Sequence, residues 1–295
     1  MWWWLACTAP ETDTPGDAAG TEVELPPDPD VDTFVPASFP PPSAARVVWF
    51  GDSITAGYGV EDREGWAALL ERNHDKKWPD DEGDDWRTTY GQFELLDVSR
   101  SGATTDDVVA YQLPQVTAAW GERIDGPVLV AGTIGGNDLM EVLFSFGDIE
   151  AGVEHVLANL EEIGAFFGDA ERFPDGAFLA ITNVYEPTDG DGQVAECFYG
   201  LDLSGFVEDF DGLNASSREL AERQGWAWVD LRGHFLGHGY NYDEPTATAY
   251  DEDDPTLWLQ DDCIHPNPRG HHEIRRLFRS AFAAQELPLW IPAEP

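Results

Sequence analysis

From residue 46 onward, five short apolar runs recur between stretches with helical patterning. That alternation limits the fold more than any other feature of the sequence. The runs are RVVWF (46–50), FELLDV (93–98), VLVAGT (128–133), AFLAITNVY (177–185) and WAWVDL (226–231). Runs this continuously apolar suit strands covered on both faces, because a strand with one wet face would alternate. Strands alternating with helices define an α/β layer architecture, and right-handed crossovers make its sheet mostly parallel. The expectation is a three-layer α/β/α sandwich around a mostly parallel five-stranded sheet, spanning residues 46–295.

Helical spacing supports the intervening layers. EGWAALLERN (64–73) is amphipathic, and residues 148–173 place Val153, Val156, Leu157, Leu160, Ile163 and Phe167 on one helical face. TTDDVVAYQLPQVTAAW (104–120) opens with a Thr/Asp start signal and carries Pro114, which is expected to bend it. LNASSRELAERQG (213–225) and residues 269–286 complete the set. An acidic, aromatic insertion separates the first two strands.

Residues 1–45 differ in kind. Residues 8–45 are rich in Pro, Asp, Glu, Thr and Ala, which reads as an extended, solvated tether. MWWWLAC ends in Cys7 and resembles the tail of a bacterial lipoprotein signal, although the charged segment and most of the apolar segment are missing. The expectation is export to an extracellular, periplasmic or lipid-anchored place at a bacterial cell envelope, any membrane tether running through a lipidated Cys7. The plainer alternative is a frayed terminus with a stray cysteine. No run of about 18 apolar residues is present to form a spanning helix.

Charge narrows the partners. With 57 acidic and 16 basic residues the net charge is −41, a field that repels phosphate backbones and argues against a nucleic-acid partner. Solubility is one reading of the acidity and adaptation to high salt the other; a melting temperature that climbs with molar NaCl marks the second. Cys197 and Cys263 are expected to form a disulfide in an oxidising compartment, with two unpaired buried thiols as the alternative. No C-x-x-C or paired Cys/His spacing appears, which speaks against a metal site. The acidic run YDEDDP (250–255) likewise lacks the ligand spacing of a calcium loop.

In open parallel sheets, ligands bind beyond the carboxyl ends of the strands. Gly51-Asp52-Ser53 follows the first run and SRSGATT, with Gly102, the second. GGND, with Asn137 and Asp138, follows the third, and DDCIHPN, with Asp262 and His265, precedes the last helix. These residue types fit one chemistry. A serine hydroxyl becomes nucleophilic when a histidine takes its proton, and the histidine needs a carboxylate to fix its tautomer. Asp262 can reach His265 Nδ1 across a turn; Asp261 is the neighbouring alternative, less suited by spacing. The Ser53 and Gly102 amides and the Asn137 side chain would serve as oxyanion donors. Asp138 is expected to position its loop. His74 and His155 read as surface residues, His271 and His272 as the opening of the last helix, and His234 and His238 as loop residues, with a reach into the pocket as the alternative. The aromatic residues between Tyr240 and Trp258 could line a substrate or merely cover the core.

GDSITAG, SGATT, GGND and DCIHPN, in that order, resemble the four blocks of the GDSL-type esterases, the SGNH hydrolases. The resemblance runs from about residue 46 to 285, with Ile54 where the family has leucine. It implies a flavodoxin-like domain that hydrolyses carboxylic esters without metal or cofactor. Ser53 would be the nucleophile, Asp262 and His265 the rest of the triad, and Gly102 and Asn137 oxyanion donors. A G-x-S-x-G elbow, which the α/β-hydrolases require, is absent around Ser53. Expected substrates are short acyl, acetyl-carbohydrate or lipid esters. Rival readings are an acyltransferase on the same triad, or an inactive surface carbohydrate-binding protein.

Overall fold

Five parallel strands form one sheet in the order β2-β1-β3-β4-β5. They are β1 (Arg46–Gly51), β2 (Glu94–Asp97), β3 (Val128–Thr133), β4 (Ala177–Thr182) and β5 (Ala227–Val229). The computed structural model describes residues 44–145, 147–193 and 202–283. All of these fall in one compact unit, residues 34–295; a separate unit, residues 1–33, lies outside the described residues. Ala44 is already buried in the core, and the Ala45 amide and carbonyl bond to Pro127 and Glu94.

Alternation along the strands divides the apolar side chains between two cores. Val47 and Trp49 of β1 join Leu129, Ala131, Phe178 and Ala180 on one face. Val48 and Phe50 join Val128, Val130, Leu179 and Ile181 on the other. Helices α1 (Trp66–Glu71), α2 (Trp86–Tyr90), α8 (Leu231–Phe235) and α9 (Pro268–Ala283) supply residues to the first core. The second is covered by α4 (Leu113–Trp120), α5 (Gly136–Ser145), α6 (Ile149–Phe167) and α7 (Ser204–Gln224). A buried aromatic stack binds the first face together. Trp49 lies 4.9 Å from Trp86 and 5.5 Å from Trp66, and Trp66 stacks on Phe278 of α9 at 4.2 Å. Such pairs add about 0.5–1.5 kcal/mol each beyond their buried area.

Three departures from the sequence reading bear on function. The segment 104–120 starts at the expected cap, where Thr104 and Asp107 form a reciprocal capping box at the head of α3 (Thr105–Asp107). Pro114 cannot donate a backbone hydrogen bond, and the turn before it, Val108–Gln112, widens to a π-helix before regular α4 resumes. Helix α7 begins at Ser204, nine residues before the expected 213, and its early turns are mostly half-exposed. Helix α5 was not expected; it starts inside GGND, and only Asp138 and Leu139 of it are buried. Val207 and Phe210 in the added turns of α7 and Met140 and Leu143 of α5 line a cavity, while Leu139 of α5 and Leu213, Leu220 and Ala221 of α7 pack into the second core.

Candidate functional site

The carboxyl end of β1 carries Ser53, and the end of α9's preceding loop brings His265 to it across 212 residues. Gly51 ends the strand with φ of +112°, a conformation that favours glycine. A Cβ there would sit 2.1 Å from the Thr133 carbonyl oxygen of the neighbouring strand, so only glycine lets β1 turn this close to β3. Ser53 stands at the end of the sheet produced by that turn and is itself largely buried.

His265 Nε2 lies 2.8 Å from Ser53 Oγ, and His265 Nδ1 lies 2.6 Å from Asp262 Oδ2. The other oxygen of Asp262 accepts from the backbone amides of Ile264 (3.0 Å) and His265 (2.9 Å). Burial would push the Asp262 carboxyl up, but the hydrogen bonds from His265 and Ile264 outweigh it and hold it below its ordinary value. An ionised carboxylate therefore faces Nδ1. Of the two neighbouring carboxylates, both exposed, Asp262 is the one bonded to His265 Nδ1.

The loop bearing Asp262 and His265 is fastened on several sides. Leu259 and Pro266 form an antiparallel bridge across its base, and the Gln260 side chain donates to the carbonyls of Tyr58 (3.1 Å) and Pro266 (2.8 Å). Tyr240 Oη donates to the Gln260 carbonyl at 2.7 Å, and Tyr185 Oη donates to the Ile264 carbonyl. The Tyr58 ring, half-exposed, covers the His265 imidazole at 4.4 Å.

Ser53 is held from below by a buried polar network. Asp52 Oδ1 accepts from the Ile54 amide (3.0 Å) and from Thr133 Oγ1 (2.7 Å), and Thr133 meets Thr55 Oγ1 at 2.9 Å. Burial pushes the Asp52 carboxyl up to about 6, against the downward pull of those hydrogen bonds. Gln112, from the wide π turn, grips Gly51 through both backbone groups: its Oε1 accepts from the Gly51 amide (2.7 Å) and its Nε2 donates to the Gly51 carbonyl (2.9 Å).

Asn137, at the start of α5, donates to the Ala103 carbonyl at 2.8 Å. One hydrogen of its amide is thereby used and the second remains. Gly102 precedes Ala103 with φ of +79°, and its loop is tied to β1 by the Arg100 amide bonding to Gly51 O at 3.0 Å. Asp138 accepts from the Thr105 amide (3.0 Å) and hydroxyl (2.6 Å), joining α5 to the start of α3; it is a positioning group, as expected.

Beside Ser53 opens a cavity of ≈ 140 Å³. Ser53, Ile54 and Asn137 form its near wall, Met140 and Leu143 of α5 one side, and Val207 and Phe210 of α7 the other. Ile264 and Cys263 reach it from the His265 loop. Cys197 and Cys7 lie outside the described residues.

The remaining histidines are structural. His271 is buried, its Nδ1 accepting from the Trp66 amide at 3.3 Å, and burial lowers its pKa to about 3. His272 stacks on Trp78, His234 faces Glu273 at 3.1 Å, and His238 stacks on Trp258 at 3.4 Å. His155 is exposed and bonded to Asp106 at 2.9 Å, as expected at the surface, whereas His74 is half-buried. Trp258 is buried in the core, with Tyr240 and Leu257 packed against it, so these aromatic residues cover the sheet rather than line the cavity. Tyr185, Gln112 and Thr133 were not singled out from sequence. Thr133 and Tyr185 each had one signal, a place at the end of an expected strand.

The family model described as GDSL-like Lipase/Acylhydrolase family matches residues 49–273. No curated protein matches the chain in sequence. Among solved structures, a protein from Parabacteroides merdae described as a GDSL-like lipase is 15% identical, with TM-score 0.56, covering 84% of this chain and 99% of its own. An acetylxylan esterase from Geobacillus stearothermophilus is 16% identical, with TM-score 0.53 and coverages of 82% and 95%. An α/β hydrolase enzyme from the metagenome of Lake Arreo is 21% identical, with TM-score 0.52 and coverages of 82% and 96%. At these identities the likeness establishes the fold.

Proposed function

This chain belongs to the GDSL-like lipase/acylhydrolase family and is a carboxylic ester hydrolase, and from that premise we propose that Ser53 carries the reaction through an acyl-enzyme. The observation that carries the reading is the continuous relay from Ser53 Oγ through His265 to Asp262, at 2.8 and 2.6 Å. Ser53 Oγ attacks the ester carbonyl while its proton passes to His265 Nε2. Asp262, accepting at Nδ1, holds the imidazole with Nε2 free as the base and then stabilises the imidazolium. The oxyanion that forms is met by the Ser53 and Gly102 amides and the free hydrogen of Asn137. Collapse expels the alcohol, which leaves with the proton from Nε2. Water then repeats the sequence on the acyl-serine, releasing the acid and restoring the Ser53 hydroxyl.

We further propose that Cys263 pairs with Cys197. Cys263 carries a disulfide, is buried between Asp262 and His265 in the chain, and has φ of +65°, so a bridge there pins a turn of uncommon backbone geometry. The test of the main reading is hydrolysis of p-nitrophenyl esters by wild type and Ser53→Ala. A fall of at least about a thousandfold is expected; turnover of the variant at the wild-type rate refutes the mechanism.

A further inference from the structure

We propose that the cavity between α5 and α7 is an acyl subsite that selects medium-length acyl groups, centred near six carbons, over acetyl. The proposal rests on the acyl-enzyme reading above. The protonation geometry decides which half of the ester the cavity receives. His265 Nε2 must hand its proton to the departing alcohol, so the alcohol lies on the His265 side, where Tyr58 stands half-exposed. Neither His265 nor Tyr58 lines the cavity, whereas Ser53 and the oxyanion donor Asn137 do. With the carbonyl oxygen at Asn137 and the alcohol toward Tyr58, the acyl chain takes the remaining direction, into the cavity.

Size and chemistry set the chain length. Met140, Leu143, Val207, Phe210 and Ile264 present hydrocarbon to it. Its ≈ 140 Å³ is close to the roughly 150 Å³ of an engineered apolar cavity that holds benzene, a six-carbon guest. An acetyl group would leave most of that wall uncovered. The wall is also braced. Asn214 of α7 bonds both backbone groups of Val184, which itself lines the cavity, accepting at 3.0 Å and donating at 2.8 Å. Helix α7 is thus keyed to the end of β4 and cannot simply close on a short acyl group.

The experiment is a chain-length series of p-nitrophenyl esters, from two to twelve acyl carbons, with the alcohol held constant. Wild-type kcat/KM is expected to rise up to about fourfold per added methylene, the ratio that follows from burying one CH₂. The rise should stop near six to eight carbons and reverse by twelve. Val207→Trp, which fills the cavity from α7, should abolish the preference for the hexanoyl ester, bringing the hexanoyl-to-acetyl ratio of kcat/KM to about one or below. Leu143→Trp, from the opposite wall, should do the same, so that misfolding of one variant leaves the test intact. Acetyl as the best wild-type substrate overturns the proposal, as does an equal loss at every chain length in both folded variants. A failure of the acyl-enzyme reading looks different: Ser53→Ala would then remain active across the whole series.

Discussion

Replacing Asp262 with Asn changes one atom and should remove nearly all turnover while leaving the fold intact. Asp262 Oδ1 accepts from two backbone amides, Ile264 at 3.0 Å and His265 at 2.9 Å. In the variant the amide oxygen must keep that position, because an NH₂ group there would meet two N–H donors. The NH₂ is therefore directed at His265 Nδ1, where Oδ2 now lies at 2.6 Å. A donor at that distance requires Nδ1 to be the bare nitrogen, so the ring proton moves to Nε2. Nε2 then donates to Ser53 instead of accepting from it, and the base is gone. The equivalent exchange in a serine protease costs about 10⁴ in kcat. The side chain of Asp262 is 39% exposed, so water can share the Nδ1 site, and a loss of about 10³–10⁴ is expected. Both backbone bonds survive, so stability should stay within about 1 kcal/mol of wild type. The assay is steady-state hydrolysis of a p-nitrophenyl ester beside urea unfolding, with Asp261→Asn as the control that should keep full activity. An Asp262→Asn enzyme within tenfold of wild type would show that the tautomer is not set by this carboxylate.

Gln112→Leu removes the clamp on Gly51 and leaves a buried backbone amide without its partner, at a cost of about 1–3 kcal/mol in urea unfolding. Because Ser53 lies two residues on, kcat should fall between about tenfold and a hundredfold with KM little changed; unaltered stability would contradict the role. Asp52 titrates near 6 in the folded protein against an ordinary 3.8, so the folded state holds this proton more tightly than the unfolded chain and stability is lost as pH rises through that window. In Asp52→Asn that loss, on the order of 2–3 kcal/mol, should disappear; parallel stability–pH curves for the two proteins would exclude it. Reducing the proposed Cys197–Cys263 bridge should cost about 2–4 kcal/mol and lower kcat, and an unchanged melting temperature and rate would dismiss the pairing.

The layers and the site residues were legible in sequence for a shared physical reason. Strands buried on both faces must be apolar throughout, and the groups beyond their ends must be polar, so RVVWF followed by Gly-Asp-Ser announces both. The two cores confirm the first half of that reading, with β1 sending Trp49 one way and Phe50 the other. Asp262 and His265 were legible because their pairing is local, across one turn. Gln112 was not, because its partner lies 61 residues away and nothing in VVAYQLP says which side chain a widened turn will aim inward. Tyr185, whose partner Ile264 is 79 residues distant, escaped for the same reason. Helix α5 was not legible because its first residues, Gly136-Asn137-Asp138, carry the composition of a turn.

The distance along the chain between Ser53 and His265 has a bearing on synthesis. In the proposed mechanism the nucleophile stands just beyond the first strand and its base in the loop before the last described helix, 212 residues later. Trp66, close behind Ser53, stacks on Phe278 of that helix, so even the packing beneath the first strand awaits residues made near the end. A nascent chain thus carries an inert serine until almost the whole domain has emerged. On the proposed mechanism, esterase activity in newly made protein comes only from chains that extend past residue 265, and fragments ending before it should contribute nothing to the signal.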